Sequence, residues 1–299
     1  MTRELSTLTS GGHFFESPRW HDGRWYISDF YAHTVSAITP EGEVEVLMEV
    51  PGQPSGIGWL PDGSMLVVSM KEQHVLHRST DGEVTHYADL SAHCGGKAND
   101  LVVDAHGRAF VGNFGFDLMG GADPEPANLV RIDPDRSVHV AAQEVYFPNG
   151  AVILPDEVTL VVGETIACRS TAFTIAEDGS LTDRRVWAQI TPQPPLGSML
   201  EMLTAGGVAP DGCTLDAEGQ IWAADALGNQ VVRVAEGGEI TDRIAMPEGL
   251  GAFACQLGGP NGTTLLICSA PDFSEDARAA AAEAVLFIVD VGVAAAGRP

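Results

Sequence analysis

Apolar residues fall along this chain in short, β-rich runs separated by polar turns that carry glycine, proline or aspartate, and helical periodicity is scarce. Ser64-Met65-Leu66-Val67-Val68-Ser69 follows Asp62-Gly63, and Gln220-Ile221-Trp222-Ala223-Ala224 follows Glu218-Gly219. Both runs are rich in residues that favour a pleated surface, and each has the form of a hairpin half. A further run comes after a few polar residues, as in Val75-Leu76-His77-Arg78 and Val231-Val232-Arg233-Val234.

Four segments place an oxygen-bearing side chain six residues ahead of such a turn: Ser55 before Pro61-Asp62-Gly63, Asn99 before Ala105-His106-Gly107, Asn149 before Pro155-Asp156-Glu157, and Asp211 before Ala217-Glu218-Gly219. Unit starts near Glu16, Ser55, Asn99, Asn149, Asp211 and Phe253 lie about 40 to 60 residues apart. Six such units predict an all-β fold, a six-bladed β-propeller with roughly four antiparallel strands per blade, in a single domain over residues 1–299. Residues 5–15 are expected to supply the strand that closes the ring. Ser274 to Glu283 has strong helix formers behind a serine cap, which predicts a short helical insertion in the last blade before strand character returns over 284–293. The wider gaps hold two long loops, 114–128 and 191–210, as expected of functional rims or lids.

Composition narrows the partners. Lysine and arginine number 16 against 41 aspartates and glutamates, a formal charge of −25 that repels polyphosphate, so nucleic acid is excluded as a partner. No apolar run is long enough to span a bilayer and the start lacks a secretory pattern, so the chain reads as cytoplasmic with no membrane partner. Five cysteines, odd in number and without a Cys-x-x-Cys pair, read as buried free thiols.

First strands of propeller blades line the central channel, so Asn99, Asn149 and Asp211 are expected to face one another. Glu16 sits five residues before its own turn, one position out of register, and its longer side chain is expected to reach the same point. Two carboxylates with one or two amide oxygens form a hard donor set suited to one divalent cation, Ca²⁺ first, with Mg²⁺, Mn²⁺ or Zn²⁺ as alternatives. Pro-Asn-Gly and Pro-Asp-Gly also favour turns strongly, so spacing alone leaves Asn149 and Asp211 open to a turn role.

Glu16-Ser17-Pro18-Arg19-Trp20, Asn99-Asp100-Leu101-Val102-Val103-Asp104, Pro148-Asn149-Gly150 and Pro210-Asp211-Gly212-Cys213-Thr214-Leu215-Asp216 resemble, in order, the signature segments of the SMP-30/gluconolactonase/LRE-like family. The resemblance runs over nearly the whole chain. It implies a propeller with one divalent cation held by Glu16, Asn149 and Asp211, with Asn99 beside it, and a lactonase or related carboxylic-ester hydrolase acting on a small-molecule lactone or ester. It also implies that the cation polarises the lactone carbonyl while Asp211 accepts a proton from the attacking water. Where sugar-lactonase members commonly carry a substrate-contacting arginine two residues before the channel asparagine, this chain has Lys97, a point charge in place of a planar fork of donors. With the apolar Phe114 and Phe116 in the following loop, Lys97 and Asn99 are expected on the substrate side, facing a less polar or larger substrate than gluconolactone.

Other signatures are absent from the sequence: no Gly-x-Ser-x-Gly elbow, no His-Glu-x-x-His and no phosphate-binding glycine loop. His74 and His77 read as ordinary surface histidines, Trp20, Trp59 and Trp222 as packing between blades, and Asp29, Glu164 and Asp225 as loop or hairpin groups or as carboxylates at the channel mouth. Rival functions are another reaction at the same cation (phosphotriester hydrolysis, a lyase or a cyclisation step) and a non-catalytic calcium-binding propeller.

Overall fold

The computed structural model describes residues 3–298 as six antiparallel sheets arranged around a channel. Blades one to five each take four consecutive strands from the chain, beginning with Phe15–His21, Pro54–Trp59, Ala98–Val103, Pro148–Ile153 and Pro210–Asp216. Blade six begins at Gly251–Gly258, and its outer strand, Ser6–Gly12, pairs with Ala284–Asp290. The expected closure by residues 5–15 is therefore present. Ala295–Ala296 adds a short fifth strand to the inner edge of blade five.

The innermost strands owe their packing to bulges. Between Pro148–Glu164 and Ala151–Val162 pairs, Asn149 and Gly150 oppose a single residue, and the same two-against-one step holds Ser55-Gly56, Asn99-Asp100 and Asp211-Gly212. A bulge of this kind bends the strand and re-aims a side chain, here toward the axis. In three of these four pairs the second residue is a glycine, which lets adjacent blades close in. A Cβ on Gly150 would stand 2.5 Å from the carbonyl oxygen of Asp211 and 2.7 Å from the amide of Cys213. Gly150→Ala is therefore expected to destabilise the protein by about 1–3 kcal/mol through overpacking and to displace Asp211, read as a lowered Tm together with lost activity.

The second strand of each blade is largely buried as well; Trp222, Val67, Val111 and Leu266 are fully buried. Trp59 of blade two meets His21 and Tyr26 of blade one, with ring centroids 4.1 and 4.9 Å away, the interblade packing expected of it. His74 lies against His86 within blade two. All five cysteines are free, four of them buried, and burial pushes the Cys213 thiol up to about 12.

Among the described residues two short α-helices break the pattern, besides a 3-10 turn at Thr165–Ala167. α2 (Glu275–Ala280) is the expected insertion of blade six, and the Ser274 hydroxyl caps it by accepting from the Ala277 amide at 3.5 Å. α1 (Met199–Ala205) lies in the 191–210 segment, which the hydrophobic pattern left as loop. Its signal was Ser198-Met-Leu-Glu201, a Ser-x-x-Glu capping pattern, and Ser198 Oγ accepts from the Glu201 amide at 3.2 Å.

Candidate functional site

The bulges deliver their side chains to one place. Ser55 Oγ donates to Asn99 Oδ1 at 3.0 Å, Asn99 Nδ2 donates to Asn149 Oδ1 at 3.0 Å, and Asn149 Nδ2 donates to Asp211 Oδ1. A second acceptor for Asn149 Nδ2 is Thr165 Oγ1 at 3.1 Å, which in turn donates to the Pro210 carbonyl at 2.8 Å. Ser55, which shares the six-residue spacing but stood outside the expected donor set, is a full member of this chain of bonds. Thr165 went unread because it follows the second strand of blade four, outside the repeating register.

Glu16 belongs to the same ring. Counted from the hairpin it is out of step because its turn is tighter, with His21 pairing directly with Arg24. Counted from the other end of the strand it is in step: Phe15 pairs with Asp29 as Pro148 pairs with Glu164 and Pro210 with Asp225. These strand-end carboxylates hold the chain where it enters the innermost strand. Asp29 accepts from the amides of His13 and Phe14 at 2.8 and 3.1 Å, Glu164 from Tyr146 at 2.8 Å, and Asp225 from Ala209 at 3.0 Å.

Glu16 and Asp211 are 8% and 9% exposed, and among the described residues neither forms an ion pair with a basic side chain. The nearby guanidinium, Arg19, is committed to Asp100 at 2.8 Å and to the Leu101 carbonyl at 2.8 Å. Burial therefore pushes Glu16 well above the ordinary carboxylate range, and the charge of Asp211 pushes it further. Burial raises Asp211 to about 8, with the charge of Asp100 adding to the effect. Two buried carboxylates with no ion-paired cation among the described residues, flanked by amide oxygens, fit a hard divalent cation. Among the described residues no three His, Cys, Asp or Glu side chains gather as a metal cluster, because this donor set combines two carboxylates with asparagine amides.

Above this polar floor opens a cavity of about 200 Å³. Phe14, Phe30, Tyr31 and Phe253 form one wall, with Phe14 centred 4.8 Å from Phe253 and 5.3 Å from Phe30. Phe114 and Phe147, 4.6 Å apart, form another, and α1 covers the space with Met199, Met202 and Leu203. The two long loops touch where the Met199 amide donates to Asp123 at 3.4 Å. Of the residues expected on the substrate side, Asn99 and Phe114 line the cavity. Phe116 is buried in the same apolar cluster but outside the lining. Lys97 also stands outside it, with its ammonium 2.7 Å from Glu275 of α2 and 3.3 Å from Gln53 Oε1. Glu275, invisible to spacing arguments, also takes Lys71 at 2.5 Å, and the two lysines draw its carboxyl down to about 2.

Residues 14–271 match the family model of the SMP-30/Gluconolactonase/LRE-like region, and the chain belongs to that family. It is similar to the pentonolactonase XacC of Haloferax volcanii, at 27% identity over all of this chain and 96% of that protein. The 6-deoxy-6-sulfogluconolactonase of Pseudomonas putida is 24% identical over 85% of this chain and 82% of its own length. Among solved structures, the calcium-binding protein regucalcin of Agrobacterium tumefaciens superposes with a TM-score of 0.76 at 19% identity, covering all of this chain and 96% of that one. Among the described residues no helix is long and apolar enough to cross a membrane.

Proposed function

We propose that this protein is a divalent-metal-dependent lactonase, with Glu16, Asn149 and Asp211 holding the cation, Ca²⁺ first among the candidates. The observation that carries this reading is the pair of buried carboxylates, without an ion-pair partner among the described residues, in the lining of a largely apolar cavity. Family membership and the two lactonase relatives support the reaction class. A bound cation would supply charge to polarise the carbonyl oxygen and to stabilise the oxyanion as it develops.

The chain's own groups do the rest. Asn99 and Thr165 hold Asn149 in its orientation, and Asn149 in turn fixes the carboxylate of Asp211. Asp211 accepts a proton from the water that attacks the carbonyl carbon; the ring C–O bond breaks, and that proton passes to the departing alkoxide, leaving a hydroxy acid. The aromatic walls and α1 exclude bulk water from this exchange.

Chelator treatment is expected to abolish opening of lactones across a panel, and Ca²⁺ in excess is expected to restore it while raising Tm. Hydrolysis in ¹⁸O-labelled water places one label in each product, which a lyase reaction would not. Unchanged turnover after complete metal removal would sink the proposal.

A further inference from the structure

We propose that the cavity selects lactones with an apolar body, such as an alkyl-substituted or aryl-fused ring, over polyhydroxylated or anionic sugar lactones. The inference rests on the lactonase reading and names its substrate class.

Three observations carry it. The polar side chains of the cavity are concentrated at the floor, in Glu16, Asn99, Asn149, Thr165 and Asp211, where the reacting ester group would sit. The surrounding walls and roof are otherwise aromatic, aliphatic, thiol or thioether, with the Tyr31 hydroxyl as one further polar group, so most sugar hydroxyls entering there lose water without gaining side-chain partners. Among the described residues no lysine or arginine lines the cavity, so a phosphate, sulfonate or second carboxylate on the substrate meets two buried carboxylates and no balancing side-chain cation.

The last of these extends to the donors closest in sequence to the channel. Lys97 stands two residues before Asn99, yet its ammonium is taken by Glu275 at 2.7 Å and Gln53 at 3.3 Å. Glu275 reaches across from the blade-six insertion and takes Lys71 as well. The carboxylate of α2 thus uses the charge that a polar substrate would otherwise engage. Phe273, two residues before Glu275, adds an apolar edge to the cavity instead.

A steady-state series tests this with the Ca²⁺-loaded protein: γ- and δ-lactones carrying alkyl chains of increasing length, compared with glucono-1,5-lactone and its 6-phosphate. kcat/KM is expected to rise roughly fourfold per added methylene until the cavity is filled. Glucono-1,5-lactone is expected at least about 100-fold below the best alkyl lactone, which corresponds to two tenfold steps in transition-state stabilisation. A flat or falling alkyl series, or a sugar lactone equal to the best alkyl lactone, overturns the inference.

Calorimetric binding of ring-matched lactams, which are not hydrolysed, reads the cavity without the chemistry. Tighter binding with longer alkyl chains supports the inference, and tighter binding of a polyhydroxylated lactam overturns it. If alkyl lactams bind by chain length but no lactone opens, the lactonase reading fails and the apolar preference stands. If only sugar lactones open, the preference fails and the lactonase reading stands.

Discussion

Asp211→Asn is expected to lower kcat/KM for lactone opening by roughly 10²–10⁴, the range lost with a general base, while the metal-free protein becomes more stable. The two effects share one cause. Asparagine is nearly isosteric and its Oδ1 still accepts from Asn149, but it removes one of two buried negative charges that lack a basic partner among the described residues. The sign follows from the raised carboxyl: with a folded value of about 8 against 3.8, the folded protein binds the proton more tightly. In chelator, wild-type stability from this group is full below pH 4 and is lost as pH rises through about 8. The asparagine variant loses that dependence, and at pH 8 its Tm in chelator should exceed the wild type by a few degrees, on the order of 1–2 kcal/mol. With Ca²⁺ present the order reverses, because only the wild type retains both carboxylate ligands. Scanning calorimetry at pH 5 and pH 8, with and without Ca²⁺, measures all four corners. A variant with wild-type turnover would remove Asp211 from the chemistry.

Arg19→Met is expected to cost about 3–5 kcal/mol of stability, the range for removing one partner of a buried ion pair. Arg19 is 3% exposed and links two innermost strands, giving its guanidinium to Asp100 and to the Leu101 carbonyl at 2.8 Å each. Without it, Asp100 becomes a third unbalanced carboxylate beside Glu16 and Asp211, since its charge already raises both. The double variant Arg19→Met/Asp100→Leu should recover much of the loss, because burying neither charge costs less than burying one. Urea unfolding of the two single variants and the double gives the coupling directly. A single variant within about 0.5 kcal/mol of wild type would show that the pair is not needed, that being the usual range for surface substitutions.

Much of this architecture was legible because the repeat is simple. The six blade starts, the closing strand near the amino end and the α2 insertion all follow from turn spacing and helix chemistry, and all six starts fall on innermost strands. The local reading of Asn149-Gly150 and Asp211-Gly212 was harder. Both dipeptides carry a turn signal, yet the glycine serves close approach between blades and the preceding residue sits in a bulge within a strand. Turn propensity and bulge propensity draw on the same residues, so a single sequence does not separate them. Glu16 was reached through side-chain length and family resemblance, whereas strand pairing places it in register from the opposite end. Lys97 shows the remaining gap: its partner Glu275 lies 178 residues away, and no periodicity connects a strand-entry lysine to a carboxylate on an insertion. The aromatic walls were likewise out of reach as a set, since Phe14, Phe147 and Phe253 come from three different blade entries and bulges.

The bulges have a consequence for how such a protein changes over time. In a regular strand, exchanging a residue alters a position whose orientation is tied to its neighbours, and a one-residue slip turns every side chain over. Here the axial residue of four blades is one of two facing a single partner, so its identity is uncoupled from the alternation that packs the sheet. Serine, asparagine and aspartate already occupy this place in four blades while the strands around them keep one pattern. The ring behaves as a fixed socket with interchangeable pins, in which a new reaction can be tried one axial residue at a time without re-solving the fold.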